Sequence, residues 1–402
     1  MTKAISLQKA LSEARPSLYE GALRGLLNKI RYGKLTLTTP SGRIFEAQGA
    51  FPGPQARVVL HDWRILTALL LQGDNGLATS YIAGHWSSPD LSAFLKVCVL
   101  NFSDVGGTVF SGPSRWWRRW NHKRRANSRA GAKRNIMAHY DLGNEFFARW
   151  LDENMLYSSA LYETYEETLG QAQHQKVALI EEWLESPMDA KILEIGCGWG
   201  HLARTLGAAG AQVTGLTISP SQLDYAQNII AKAGLEGRVK LALRDYRDEN
   251  GIYDRIVSIE MIEAVGEAYW PDYFQALRAR LKPGGRAVLQ VITIAADRFD
   301  NYRRRADFIQ NHIFPGGMLP TKAGLAALGA EAGLSLHRVK NFGLSYARTL
   351  ADWRARFAAA WPELEAMGFD LRFRRLWDYY LCYCEAGFTT GSIDVGLYEF
   401  TG

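Results

Sequence analysis

The stretch KILEIGCGWG, Lys191 to Gly200, constrains the fold of this chain more than any other part of it. A five-residue run with Ile192, Leu193 and Ile195 apolar meets a turn with glycine at every second position. A run of that length, closed by glycines, reads as a buried strand of a parallel sheet. Glycine in the turn lets the backbone approach a ligand closely. The flanking rhythm agrees with this reading. ETLGQAQHQKVALIEEWLE, Glu167 to Glu185, has helical spacing, and Ala203 to Gly210 falls in a further helix. AQVTGLTI is a second strand and Ser221 to Ala233 a crossover helix. RVKLALRD and YDRIVSIE are the third and fourth strands, and RAVLQVITI, after the KPGG turn at Lys282 to Gly285, is the fifth. Strands alternating with helices predict an α/β, Rossmann-like, doubly wound sheet, with its ligand at the carboxyl ends of the strands.

The sequence before this region has a different grain. LTLTTPSGRIFEAQG, Leu35 to Gly49, alternates around a Pro-Ser-Gly turn and predicts a hairpin. A third strand starts at Ala56, and helical spacing broken at Gly73 and Gly84 follows. Gly106, Gly107, Gly112 and Pro113 then loosen the chain. The expectation is a smaller amino-terminal α+β, mostly helical domain over 1–113, a basic linker over 114–135, and the doubly wound domain over 136–402. A length of 402 residues suits two cores better than one. No apolar run approaches the roughly 20 residues that span a bilayer. The opening residues lack an apolar signal region, so a cytoplasmic location is expected. Four cysteines, Cys98, Cys197, Cys382 and Cys384, show neither disulfide nor zinc-ribbon spacing, and no metal site is expected.

The net charge of +6 is unevenly placed. Arg115 to Arg134, RWWRRWNHKRRANSRAGAKR, holds no acid and sets Trp116, Trp117 and Trp120 among arginines. Nucleic acid, anionic lipid headgroups and plain solvent are all partners such a segment suits.

A glycine-rich turn alone fits NAD, FAD or S-adenosylmethionine. Three details favour the last. The spacing at Gly196, Gly198 and Gly200 is GxGxG rather than GxGxxG, Glu194 precedes it within the strand, and an acidic run, RDYRD at Arg244 to Asp248, follows the third strand. The second strand ends in GLTISPSQ, so Thr217, Ser219 and Gln222 offer neutral groups where a carboxylate commonly grips the ribose.

These motifs, in order, resemble the cyclopropane fatty acid synthases, a family that includes the mycolic acid cyclopropane synthases. The resemblance is carried by HYDLGN (His139 to Asn144), LYSSALY (Leu156 to Tyr162), LEIGCGWG, GLTISPSQ, RDYRD and YDRIVSIEMIEAVG (Tyr253 to Gly266). IFPGGMLP (Ile313 to Pro320) and NFGLSYARTLADWRARF (Asn341 to Phe357) continue it, and GLATSYIAGHW extends it into the first domain. The resemblance implies a class I methyltransferase fold and transfer of the S-adenosylmethionine methyl group to the double bond of an unsaturated phospholipid acyl chain. It implies cofactor contacts at Tyr157, Ser158, Gly196, Gly198, Gly200, Thr217, Gln222, Asp245 and Tyr246. Catalytic candidates are His139, Tyr140, Ser159, Glu263 and Tyr346. The family's bicarbonate ligands fall at Ser159, Glu263, Ile292, Ile294 and Tyr346. Two of these depart from the family pattern, since Ser159 stands where cysteine is usual and Ile292 where histidine is usual.

An alkene attacking a sulfonium methyl leaves a cation on the neighbouring carbon, which aromatic rings stabilise; Tyr140, Tyr157, Phe314 and Tyr346 are candidates. The proton lost afterwards decides between a cyclopropane and a methyl-branched alkene. With no imidazole at Ile292, the expectation is a branched unsaturated product, with Glu263 as base or base-positioning group and Tyr346 bonded to it or to a bound anion. A lipid substrate favours anionic-membrane docking for Arg115 to Arg134 over nucleic acid, and a place at the inner membrane surface. A homodimer is one assembly open to the chain. The rival readings are a methyltransferase for a soluble small molecule and a non-catalytic lipid-binding homologue.

Overall fold

The computed structural model describes residues 18–102 and 142–402. His139, Tyr140 and the basic segment Arg115 to Arg134 lie outside the described residues. The chain divides into two compact units, one comprising 1–116 and 368–390 and the other 117–367 and 391–402.

In the first unit a four-stranded sheet has the order β2-β1-β3-β4. Strands β1 (Tyr32–Thr38) and β2 (Ile44–Gln48) form the antiparallel hairpin expected around Pro40 to Gly42. Strand β3 (Phe51–Leu60) runs parallel to β1 and pairs with the short β4 (Trp86–Ser87). Helices Arg64–Gln72 and Asp74–Ile82 are separated at Gly73, as the sequence suggests. The helix Leu371–Thr389, far along the chain, belongs to this unit. It is held there by Lys96 to Glu385 (2.7 Å) and by the Tyr81 hydroxyl donating to Asp378 (2.8 Å).

The second unit is built on a seven-stranded sheet of order β10-β11-β9-β8-β5-β6-β7. The strands are β5 (Lys191–Ile195), β6 (Gln212–Thr217), β7 (Val239–Leu243), β8 (Tyr253–Ile259), β9 (Leu281–Ile294), β10 (Ser335–Asn341) and β11 (Ile393–Thr401). The first five are parallel, and β11 inserts antiparallel between β9 and β10. The Lys282 to Gly285 stretch lies within β9, where pairing to β8 slips between Tyr253 and Arg255. Leu193, Ile256, Phe274, Leu277, Ala287 and Leu289 form a core between the sheet and the helix Trp270–Arg280. Local chemistry fixes the helix starts. Thr168 and Gln171 form a reciprocal capping box on Leu169–Leu184, and Ser219 caps Pro220–Lys232 with proline at its first position. These crossovers bring the ends of β5, β6, β8 and β9 to one side, where the chain's polar residues gather.

Candidate active site

At the end of β5, Gly196, Gly198 and Gly200 all have positive φ, at 82°, 51° and 85°. The Gly196 and Cys197 amides donate to the Leu216 carbonyl (2.9 and 2.8 Å), which folds the turn back on β6. A Cβ on Gly200 would meet Ala226 at 2.8 Å, so this glycine serves packing. A Cβ on Gly198 would meet nothing within 4 Å, so its backbone borders open space. Beneath the turn, Glu194 is buried, with Oε2 unpartnered among the described residues. Burial pushes its carboxyl up to about 8, so at neutral pH it carries a proton.

The loops that meet this turn are tied to it. Asn144, of the HYDLGN motif, accepts from Trp199 Nε1 (2.8 Å) and donates to the Ser221 carbonyl (2.9 Å). The Thr217 hydroxyl donates to Gln222 Oε1 (3.0 Å) and accepts from the Ser219 amide (3.2 Å). Ser158 is buried and its hydroxyl accepts from Lys176 Nζ (2.7 Å). Lys176 itself is buried, and desolvation pulls its ammonium down to about 8 against the pull of Glu260 and Asp152. The Tyr157 ring packs among Phe147, Trp150 and Trp353, at 5.3, 5.7 and 5.2 Å between centroids. The Tyr246 ring stands edge-on to Tyr273 at 5.4 Å. The Asp245 carboxylate takes Arg247 in a bidentate pair (2.8 and 2.5 Å) and caps the turn Tyr246–Asp248.

An open glycine cradle, a neutral buried carboxyl below it and amide and hydroxyl groups at the end of β6 fit a phosphate-free nucleoside cofactor. Among the described residues there is no group of three or more His, Cys, Asp or Glu side chains arranged for a metal.

The second half of the site lies where β8 and β9 end. Glu260, the residue after β8, is not glycine yet has φ 49°. Its Oε1 accepts from the Ser159 amide (2.9 Å) and from Gln290 Nε2 (2.8 Å), and its Oε2 accepts from the Tyr346 hydroxyl (2.7 Å). Tyr346 thus bonds to Glu260, where the sequence suggested Glu263 or a bound anion as its partner. Helix Gly343–Ala359 aims its ring there, edge-on to Trp353 at 6.0 Å. Glu263, three residues on, accepts from the Ile292 amide (2.5 Å), and its Oε2 is buried without a partner among the described residues. Burial and the nearby Glu260 charge push the Glu263 carboxyl up to about 8. Burial also raises Glu260, against its four stabilising partners Ser159, Tyr346, Lys176 and Gln290. Ser159 is fully buried and its hydroxyl donates to the Ala160 carbonyl (2.9 Å). Ile292 presents its amide to Glu263, and the Ile294 amide donates to the Pro320 carbonyl (2.9 Å). Phe314 is half-buried in the turn after helix Phe308–His312, and Met318 N–H donates to the Glu263 carbonyl (2.8 Å).

The sequence reading thus singled out Glu263, Ser159 and Tyr346 but missed Glu260, Gln290 and Lys176. One signal was present for Glu260, two acids three residues apart just past a buried strand, SIEMIE. Nothing local marked Gln290, whose amide is useful only beside Glu260.

Comparison with known proteins identifies the company this site keeps. Residues 127–397 match the family model described as mycolic acid cyclopropane synthetase. The chain is 39% identical over 339 residues to the tuberculostearic acid methyltransferase UfaA1 of Mycobacterium tuberculosis, covering 81% of this chain and 78% of that protein. It is 35% identical over 337 residues to the cyclopropane-fatty-acyl-phospholipid synthase of Escherichia coli K12, covering 83% and 84%. Among solved structures, the cyclopropane synthase MmaA2 from Mycobacterium tuberculosis superposes with a TM-score of 0.63 at 30% identity, over 67% of this chain and 98% of that one. The mycolic acid cyclopropane synthase CmaA1, complexed with SAH and CTAB, gives the same TM-score at 29% identity, over 67% and 98%.

Proposed function

The chain belongs to the mycolic acid cyclopropane synthetase family, and from that premise we propose that it methylates the double bond of an unsaturated acyl chain in a membrane phospholipid to give a methyl-branched unsaturated product. At the coarser level it is an S-adenosylmethionine-dependent methyltransferase whose relatives methylate or cyclopropanate lipid acyl chains. The observation that supports the finer reading is the β8–β9 end of the site. A buried carboxyl pair, Glu260 and Glu263, stands there, and the residue where the family usually has histidine offers only a backbone amide.

When bound, S-adenosylmethionine supplies an electrophilic methyl group. The chain's own residues do the rest. The Gly198 turn leaves room for the cofactor, and Tyr157, Thr217 and Gln222 border the same end of the sheet. Trp150, Tyr157, Tyr346 and Trp353 form a wall of rings that excludes water and favours a cation over their faces. An acceptor at the ends of β8 and β9 takes the last proton. With no imidazole at Ile292 to aim it at the new methyl group, that acceptor takes the proton from an acyl carbon, which leaves a double bond. The names of the two relatives, a methyltransferase and a cyclopropane synthase, leave both outcomes in play.

Docking at an anionic membrane through Arg115 to Arg134, on the cytoplasmic face, belongs to the same proposal and rests on sequence alone. So does a homodimer, which nothing in the chain's contacts addresses. The test supplies vesicles of cis-unsaturated phospholipid with S-adenosylmethionine and reads the product by proton NMR and mass. Vinyl protons on a product one CH2 heavier are expected. Ring-methylene protons in the main product overturn the branched reading, and methylation of soluble acceptors but not vesicles favours the small-molecule rival.

A further inference from the structure

The family resemblance assigns a bicarbonate ion to Ser159, Glu263, Ile292, Ile294 and Tyr346, and in this structure those groups are already engaged. The Ser159 amide and the Tyr346 hydroxyl donate to Glu260. The Ser159 hydroxyl is turned to the Ala160 carbonyl, the Ile292 amide to Glu263, and the Ile294 amide to Pro320. Gln290, fully buried, adds a third donor to Glu260. The residues present therefore do not fit a separate anion. A further negative charge would also face the Glu260 carboxylate in a desolvated site, where like charges repel strongly.

The group that takes these donors has the shape of the missing ion. A carboxylate presents the same planar anionic O–C–O face as bicarbonate, without its third oxygen. The chain meets a cost to put it there. Glu260 holds φ 49°, a left-handed conformation that glycine adopts freely and that costs other residues about 1–3 kcal/mol. Its amide donates to the Gln290 carbonyl (2.8 Å), which locks that conformation against β9. Strain held in place by three hydrogen bonds to the side chain and one from the main chain points to function.

We propose that the Glu260 carboxylate stands in the bicarbonate position and is this enzyme's own proton acceptor, so that the chain turns over without the ion. This rests on the methyl-transfer reading above. In the step concerned, the alkene π pair forms the new carbon–carbon bond while the methyl–sulfur bond breaks and its pair stays on sulfur. A neighbouring C–H bond then breaks, its pair quenches the cation, and the proton goes to Glu260 and from there to solvent. Three of roughly four acceptor positions on a carboxylate are filled, which leaves one for that proton. Tyr346, Gln290 and the Ser159 amide are positioning groups that hold the carboxylate in place.

The test has a binding arm and a turnover arm. In the binding arm, 13C-labelled bicarbonate is titrated into the whole protein and into Glu260→Gly, with S-adenosylhomocysteine affinity confirming that each is folded. The wild type is expected to show no saturable bicarbonate binding, and Glu260→Gly, which relieves the backbone and vacates three donors, to gain it. Saturable binding by the wild type overturns the proposal whether or not the enzyme is active. In the turnover arm, wild-type product formation is unchanged in CO2-free buffer, whereas Glu260→Gly and Glu260→Gln fall at least a hundredfold and only the glycine variant recovers on adding bicarbonate or formate. Dependence of the wild type on bicarbonate, or full activity of Glu260→Gln, also overturns it. Absence of any acyl methylation by the wild type instead removes the reading of the function, and the binding arm still decides what occupies the anion position.

Discussion

Replacing Tyr346 by phenylalanine removes one hydroxyl and keeps the buried ring against Trp353. The hydroxyl donates to Glu260 Oε2 at 2.7 Å inside a desolvated site. A hydrogen bond to a charged group contributes about 1.5–3 kcal/mol. Here it favours the ionised carboxylate over the acid, and one pKa unit corresponds to about 1.4 kcal/mol. Its loss therefore raises the Glu260 carboxyl further, beyond the rise that burial already imposes. The other groups acting on Glu260 are unchanged by the substitution: Lys176, Gln290 and the Ser159 amide still lower it, and Glu263 beside it stays raised. Because an acceptor must be ionised, the acid limb of the kcat profile moves to higher pH. Turnover at neutral pH falls about ten- to a hundredfold and recovers as pH rises, while the KM for S-adenosylmethionine stays put. The assay is product formation on unsaturated vesicles across pH, with S-adenosylhomocysteine binding and a thermal melt confirming the fold. A pH-independent loss, or a limb that does not move, refutes the assignment of Tyr346 to Glu260.

Three further outcomes follow from the same geometry. Gly198→Ala forces a side chain into the left-handed region and into the open cradle, so S-adenosylhomocysteine affinity by calorimetry falls at least tenfold; unchanged affinity removes Gly198 from the cofactor site. Glu194 keeps its proton up to about 8 when folded and releases it near 4.5 when unfolded, so the native state binds more protons in that window and stability falls as pH rises through it. Glu194→Gln flattens that fall in urea unfolding measured at the two ends of the window; an equally steep fall in the variant places the titration elsewhere. Exchanging arginines for glutamates within Arg115 to Arg134 weakens co-sedimentation with anionic vesicles, and added salt weakens the wild type in the same way, since screening acts on surface charge; salt-insensitive binding refutes electrostatic docking.

The five parallel strands and their crossover helices were legible because each is a local pattern. An apolar run, a glycine turn and a capping serine or threonine act within a few residues of one another. Strands β10 and β11 left no such mark. Strand β10, SLHRVKN, is a half-exposed edge with only Leu336 and Val339 apolar, and β11 finds its antiparallel place only once β9 exists to pair with it. The helix Leu371–Thr389 carries an ordinary helical sequence. Its membership of the first unit rests on Asp378 meeting Tyr81 and Glu385 meeting Lys96, partners almost three hundred residues away.

The site divides in the same manner. By itself the sequence determined that a strand ends in a glycine turn, that two acids follow another strand, and that serine and isoleucine stand where cysteine and histidine are usual. Those are matters of residue type and short spacing, which near-neighbour sterics and periodicity govern. Only the tertiary structure decided that Glu260 receives the Tyr346 hydroxyl, and that Asp245 pairs with Arg247. The Glu260 carboxylate takes its partners from residues 159, 290 and 346, each on a different segment. Sheet order brings those segments together, and a buried charge settles wherever enough donors converge to replace its water.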